Sequence, residues 1–599
     1  MTLYYLLRCF VLLLIGLLIY AQTFQFDFVF DDYIFVVTNP FIKNFTHFNV
    51  MWHAFPMTRL VGMLSFSLNY HFDQLHARGY HIFNFIVHML AVGLGWALAD
   101  LLFRMVKWPP SEDRIIKELP FIIAVLFLVH PCQTQAVTYI TQRFESMATV
   151  FYLGAVYFYL RGRLSTQWAY KIILFAFAGF SVILGILTKE VVITLPAMIL
   201  ALEWILFPKK NNKKGYIILA AIGVLLYLLF TKLVHANLSV FLQSIPSESH
   251  DGDILTPTHY FLTQMRVFLT FLRLLVLPVH QNLDYDYPAS TGFFHPPLTL
   301  VGFCVIGYFI FLIIKLRRNF PLMSFGLAWV LITFSINLAP RSNVIFEHKL
   351  YLISFGFILF AVAALSVLLK NQGTLLKVLW CIIAVLSIVS FQRNKVWANE
   401  LVLWQDSIKM SPNKARVNAS LGRVYGSLGR YDEAIYYLGR SIAIHPDNIT
   451  YENRGVIYSL QGKMAQALDD LDKSINMEPQ YSLPYIKRAW VYNEQHNYSA
   501  AMVDLGRAIQ LEPYFSDAYI ERGMIWMETG NTPKALEDFK RALILAPLDF
   551  QVYMKLGVVY YSVGRYDLAL EDFTKAQVLE PASSDAVQYK SFCLKKLGR

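Results

Sequence analysis

The sequence predicts an all-α membrane protein followed by a helical-repeat array, and three observations carry this. Apolar runs of about 20 residues with few charges recur through the N-terminal two-thirds, the length a helix needs to cross a bilayer. Prolines at 412, 446, 479, 513, 547 and 581 then mark a period of 33 or 34 residues. Hydrophobic residues make up 56% of the 599, with a mean hydropathy of +0.45, more apolar than a soluble chain.

Taken in order, spans are expected near 3–21, 82–103, 119–139, 147–160, 170–187, 191–207, 215–233, 297–314, 322–339, 350–369 and 374–391. The first is expected to persist as a helix, because no small-x-small cleavage site follows Tyr20. The run 259–280 carries Arg266 and Arg273 seven residues apart, and reads as an interfacial or re-entrant amphipathic helix. Five connections are rich in lysine and arginine: Arg104/Lys107/Arg114/Lys117, Arg161/Arg163/Lys171, Lys209/Lys210/Lys213/Lys214, Lys315/Arg317/Arg318 and Lys370/Lys377. They fall on one side only if 259–280 does not cross. About eleven crossings follow, with a cytoplasmic N-terminus and everything after residue 392 outside. Much of the net charge of +11 sits in these loops, so nucleic-acid binding is a poor explanation for it. Cys9, Cys132, Cys304, Cys381 and Cys593 are scattered, without disulfide or metal-ligand spacing.

This orientation puts Asp31 and Asp32 outside, in a long first loop over 22–81. Charge beside a bilayer is costly and tends to be functional, and a carboxylate there can take a proton from an incoming hydroxyl. The plainer reading is a solvated pair capping a short helix. Arg143, Lys189, Arg341 and Lys349 lie in short outer loops, where the topology rule disfavours cations. A bound anion such as a lipid phosphate explains them, and so does ion pairing with Glu145, Glu190 or Glu347. His71, His76, His81 and His88 cluster, and His81, Asn84 and His88 share one helical face. Their spacing matches no metal signature, so core or substrate contact is expected. Asp284-Tyr285-Asp286-Tyr287-Pro288 reads first as a turn with exposed acids.

In the repeats, an aromatic recurs at Tyr425, Tyr458, Tyr492, Trp526 and Tyr560. A small residue recurs at Ala434, Ala467, Ala501, Ala535 and Ala569, and another at Gly422, Gly455, Ala489, Gly523 and Gly557. Small residues let paired helices touch and the aromatics fill the space between. This is the tetratricopeptide pattern: five repeats over 415–581, a degenerate half-repeat in a linker over 393–414, and a capping helix in 582–599. Such a superhelix presents a groove suited to an extended peptide.

Ordered motifs then carry a family resemblance. They are Asp31-Asp32 with Asn39-Pro40, Arg59-Leu60 leading to Ser67-Leu68-Asn69-Tyr70, and Gly79-Tyr80-His81 with Asn84 and His88. His130-Pro131 with Glu145, Leu187-Thr188-Lys189-Glu190, Arg273-Leu274-Leu275 to Pro278, Asp284-Tyr285, and Glu347-His348-Lys349-Leu350-Tyr351 follow. Together with the repeats, the chain resembles the transmembrane and tetratricopeptide-repeat protein O-mannosyltransferases and their bacterial relatives. The resemblance implies a GT-C glycosyltransferase membrane domain over 1–392. It implies an inverting transfer of a hexose such as mannose from a polyprenyl-phosphate donor to Ser/Thr hydroxyls of extracytoplasmic proteins. It makes Asp31 or Asp32 the base, without choosing between them. It makes Arg59, His81, Arg143, Glu145, Lys189, Glu190, Glu347, His348 and Lys349 the contacts to donor phosphate or sugar. No cofactor is implied, and a divalent metal stays open. The partners implied are the lipid-linked sugar, an acceptor protein in the repeat groove and membrane lipids. Gln133 and Gln135 stand where relatives often show an acid, and Lys349 where arginine is common, which loses bidentate phosphate geometry. Rival readings are transfer of a whole lipid-linked oligosaccharide, ligation to another glycan, or a non-catalytic membrane adaptor built on the repeats. Scarce cysteine points to a bacterial inner membrane with the repeats in the periplasm, or an ER membrane with luminal repeats if the source is eukaryotic.

Overall fold

A computed structural model describes residues 2–43, 59–106, 113–207, 247–248, 254–341, 343–369, 371–547, 549–580 and 583–599. It divides into two compact units, Met1–Pro412 and Asn413–Arg599. Apart from a two-residue ladder pairing Ser247–Glu248 with Ile254–Leu255, the regular structure among the described residues is helical.

The first unit is built round α4 (Leu119–Val129), after α1 (Thr2–Tyr20), α2 (Leu60–Asp73) and α3 (Ala77–Met105). Every residue of α4 is buried. A helix apolar on all sides belongs in the centre of a bundle. It bends by 54° at His130-Pro131 into a 3₁₀ turn and α5 (Thr134–Thr138). Proline cannot donate to the preceding turn, so the helix breaks there. The His130 ring bonds on both sides of the bend: Nδ1 accepts from Cys132 N at 3.2 Å, and Nε2 contacts Leu275 O at 3.1 Å. The chain continues through α6 (Arg143–Leu164), α7 (Trp168–Ile186), α8 (Leu195–Leu206), α9 (Pro257–Val276), α10 (Leu298–Leu316), α11 (Pro321–Phe334), α12 (Leu350–Leu368), α13 (Gln372–Asn394) and α14 (Glu400–Met410). Helices α11 and α12 approach so closely that a methyl on Gly356 would fall 2.5 Å from Trp329 Cβ. Small residues allow such backbone contact where lipid provides no hydrophobic drive between helices.

Leu3, Leu18, Phe177, Tyr308, Ile314, Val385 and Ile388 are exposed on α1, α7, α10 and α13. Apolar faces turned outward on long helices suit a lipid surroundings. Among the described residues seven helices are long and apolar enough to cross a bilayer, or eight with the bent pair, and these match eight of the expected spans. Two of the other three differ. Arg143–Leu164 carries charged residues in both its first and last turns. The run near 191–207 yields a 3₁₀ turn and the 12-residue α8, about 18 Å long and too short for a 30 Å core. The span at 215–233 lies outside the described residues, as do 44–58, Lys107, Lys209 to Lys214, Lys370 and Pro581. Helix α9 fills 257–276; Arg266 and Arg273 donate to Pro288 O and Val279 O in the loop after it. Of the stretch expected as a linker, 393–414, residues 393–412 lie within the first unit. Asp27 N donates to Ala398 O at 3.1 Å, and the Trp404 ring is edge-on to Phe30.

In the second unit, five helix pairs run from Ala415–Ser427 with Tyr431–Ile444 to Phe550–Ser562 with Tyr566–Leu579, and Ser584–Lys596 caps them. The turn inside four pairs is made by a left-handed glycine, Gly429, Gly462, Gly530 and Gly564, at φ between 72° and 79°. The third pair uses His496 at φ 57°. In the three central repeats an arginine clamps an aspartate of the partner helix through two bonds of 2.7–2.8 Å: Arg454 to Asp470, Arg488 to Asp504, Arg522 to Asp538.

Candidate active site

The two adjacent aspartates occupy different environments. Asp32 is fully buried and all its bonds go to protein. Its Oδ2 accepts from Val29 N at 3.1 Å, and its Oδ1 accepts from Thr141 N at 2.8 Å and from the Thr141 hydroxyl. Burial pushes its pKa up to about 7, against the pull of those hydrogen bonds and with a further push from the charge on Asp31. Asp31 is half-buried. Its N–H donates to the Tyr139 hydroxyl at 3.1 Å. Phe30, just before it, is held at φ 52°, a conformation that a residue with a side chain adopts at a cost. Asp32 thus anchors the loop, while Asp31 is the carboxylate left within reach of solvent.

A second cluster forms where α7 ends. Leu187 O accepts from Val61 N at 2.9 Å, and Lys189 is extended, at φ −162° and ψ 148°. Its ammonium pairs with Glu145 at 2.7 Å, and both groups are buried. Arg341 pairs with Glu190 at 2.5 Å. Lys349 completes a pocket with these four, walled by Val191, Thr333, Ile336, Leu352 and Ile353. Lys349 is 8% exposed and its Nζ has no hydrogen-bond partner among the described residues. Burial alone would raise the pKa of Glu190, but Arg341, Lys189 and Arg59 hold it well below the usual carboxylate range, so it stays charged. Three basic side chains therefore face two carboxylates, and one basic group is left over.

The remaining expected residues do not line this pocket. Arg143 is fully buried and bonded to Asn84, Ser65 and Tyr80 O, with its guanidinium 4.3 Å from the Phe83 ring centre. It is a core residue and does not line the pocket; the reason is that its donors are consumed by protein. Glu347 accepts from Gln281 Nε2, Asn282 N and the Tyr285 hydroxyl, so it braces the 281–285 turn. That turn, read from sequence as exposed acids, buries Asp284. His348 donates its N–H to Gln135 Oε1 at 2.5 Å and stacks on Phe346. Gln133 donates to Ser354 Oγ at 2.8 Å, so both glutamines have buried amide roles. Arg59 lies 4.9 Å from the Phe144 ring centre. His81 is buried edge-on to Phe26, and His88 contacts the Tyr351 hydroxyl at 2.6 Å and Leu128 O. Among the described residues no group of three His, Cys, Asp or Glu side chains could hold a metal ion.

Sequence reasoning named Arg341 only as a misplaced cation, and gave Tyr139 and Thr141 no role. One short stretch, 139–145, unites the two clusters. Tyr139 and Thr141 hold the aspartates, Gln142 Oε1 lies 3.4 Å from Lys189 Nζ, and Glu145 pairs with Lys189.

Tetratricopeptide-repeat family profiles match residues 415–448, 450–481 and 520–586. A Caenorhabditis elegans protein named protein O-mannosyl-transferase F38B6.6 is 26% identical over 445 residues, covering 68% of this chain and 58% of that one. Human protein O-mannosyl-transferase TMTC3 is 23% identical over 462 residues, covering 70% and 48%. The chain is similar in sequence to proteins named protein O-mannosyl-transferase. It spans about half the length of these relatives. Both alignments are longer than the repeat unit, so the likeness of these O-mannosyl-transferases takes in part of the membrane unit as well. Among solved structures, TTC0263, a thermophilic tetratricopeptide protein from Thermus thermophilus, covers 30% of this chain and 99% of its own at 23% identity and a TM-score of 0.28.

Proposed function

We propose that the chain is an integral-membrane glycosyltransferase that moves a hexose such as mannose from a polyprenyl-phosphate donor to serine or threonine hydroxyls of extracytoplasmic proteins. The observation that carries this is the 139–145 stretch, which holds a half-buried carboxylate on one side and a cation-rich pocket on the other. Those are the two needs of the reaction: a base for a hydroxyl and counter-charge for a phosphate. The names of the relatives support the same transfer.

Asp31 is the base in this reading, because both Asp32 oxygens are already committed to protein donors. The acceptor hydroxyl gives its proton to the Asp31 carboxylate as its oxygen bonds the anomeric carbon. The bond from that carbon to the phosphate oxygen breaks on the opposite face, and configuration inverts. The departing phosphate carries the new negative charge, which meets Lys349 and the cations of the Lys189–Glu145 and Arg341–Glu190 pairs. Arg59 and Glu190 remain donor contacts, and the repeat groove holds the acceptor.

Purified full-length protein, incubated with polyprenyl-phosphate mannose and a serine/threonine peptide, should yield mannosylated peptide and free polyprenyl phosphate. Release of a whole oligosaccharide from a lipid-linked glycan, or no transfer at all with intact peptide binding, would replace this reading with a rival.

A further inference from the structure

We propose that Tyr139 is a positioning residue that fixes the Asp31 carboxylate for proton transfer; the inference rests on Asp31 being the base. A phenol has one proton to give and lone pairs to accept with. The Tyr139 oxygen accepts from Asp31 N at 3.1 Å. The phenol therefore holds the backbone of the residue that carries the carboxylate, which a phenylalanine of equal shape does not.

The grip is itself held rigidly. The Tyr139 ring is 2% exposed and stacks on Trp397, with centres 5.2 Å apart and planes 18° from parallel. The Phe30 ring lies 6.2 Å from it and edge-on to Trp404. Phe30 N donates to Glu400 Oε1 at 3.2 Å. The positive φ of Phe30 is thus over-determined by a bond to α14 and by rings from 3₁₀ residue Trp397 and from α14. Strain maintained by several contacts next to a candidate base is the signature of pre-organisation. A merely structural tyrosine would need only the stack.

The charged groups about this point are Asp32 on the same loop, Glu400 from α14, and Arg143 from α6, which acts on Asp32.

The test uses Tyr139→Phe, which preserves the stack, in the full-length protein with polyprenyl-phosphate mannose and a serine/threonine peptide. The expected result is a kcat about tenfold to a hundredfold lower and an unchanged KM for the donor. Adding Tyr139→Phe to Asp31→Asn should cost nothing further. Difluorotyrosine at 139, a weaker acceptor of the same shape, should lower kcat in the same direction, and it tests the idea even if the phenylalanine variant folds poorly. Wild-type kcat for Tyr139→Phe, with Asp31→Asn inactive, would overturn the role of Tyr139 and leave the base intact. Full activity of Asp31→Asn would overturn the base itself.

Discussion

Lys189 and Lys349 line the same pocket, yet their removal should change stability in opposite directions. Lys349 Nζ is buried without a hydrogen-bond partner among the described residues. Methionine keeps most of its length and removes the charge. A buried ion that lacks full compensation costs several kcal/mol, and apolar replacements in such places are neutral or stabilising. Lys349→Met should therefore raise stability by about 1–3 kcal/mol. Lys189 is bonded to buried Glu145 at 2.7 Å, so Lys189→Met strands a carboxylate and should cost about 3–5 kcal/mol. In the proposed transfer both variants lose a cation that would face the donor phosphate. A charge-assisted contact of about 1.5–3 kcal/mol corresponds to roughly tenfold to a hundredfold weaker donor binding. The measurements are thermal unfolding of the purified protein and titration with polyprenyl phosphate. A Lys349→Met variant as unstable as Lys189→Met, or one that binds the lipid phosphate normally, would refute the claim that this amine is kept for a ligand.

Three further outcomes follow from the geometry. Asp31→Asn should lower turnover about 10²–10⁴-fold with folding intact, whereas Asp32→Asn should show its main effect as loosening of the 26–43 loop, read by proteolysis and thermal unfolding. Because the folded pKa of Asp32 is about 7 against an ordinary 3.8, its ionisation opposes folding: its contribution to stability should be greatest below pH 3.8 and fall by about 4 kcal/mol by pH 7. Asp32→Asn should flatten that trend, and an identical pH dependence in wild type and variant would contradict it. In the repeats, Arg488→Met should cost about 2 kcal/mol, since Asp504 is buried and the arginine half-buried, with a drop in unfolding midpoint as the readout.

The repeat array was legible because its residues are local: the turn glycines, packing alanines and aromatics recur at fixed spacing, and each contacts its own or the next helix. The apolar runs were legible for the same reason. What sequence could not show was partner choice across distance. Lys189 and Glu190 are neighbours in the chain, but an extended backbone sends successive side chains to opposite faces. Lys189 consequently pairs with Glu145 and Glu190 with Arg341, not with each other. Arg143 read as a site cation because its charge was visible and its cage of Asn84, Ser65 and Tyr80 was not. Tyr139 ends an apolar run and looks like any interfacial tyrosine. The choice between Asp31 and Asp32 depended on Thr141, more than a hundred positions away.

The arginine–aspartate clamps have a consequence for how the array comes apart. They close the second, third and fourth helix pairs only. The first pair has Leu421 and Tyr437 at the corresponding positions, and the fifth has Leu556 opposite Asp572, whose pKa burial pushes up to about 6. In a linear array each unit is stabilised by itself and by its neighbours. The first and fifth pairs lack the ionic tie that the middle three share. Opening should begin at both ends and travel inward, with amide exchange fastest in 415–444 and 550–579 and slowest around 483–511. Mechanically the array is a stiff middle between two compliant ends, so ligands of different length would meet different resistance along it.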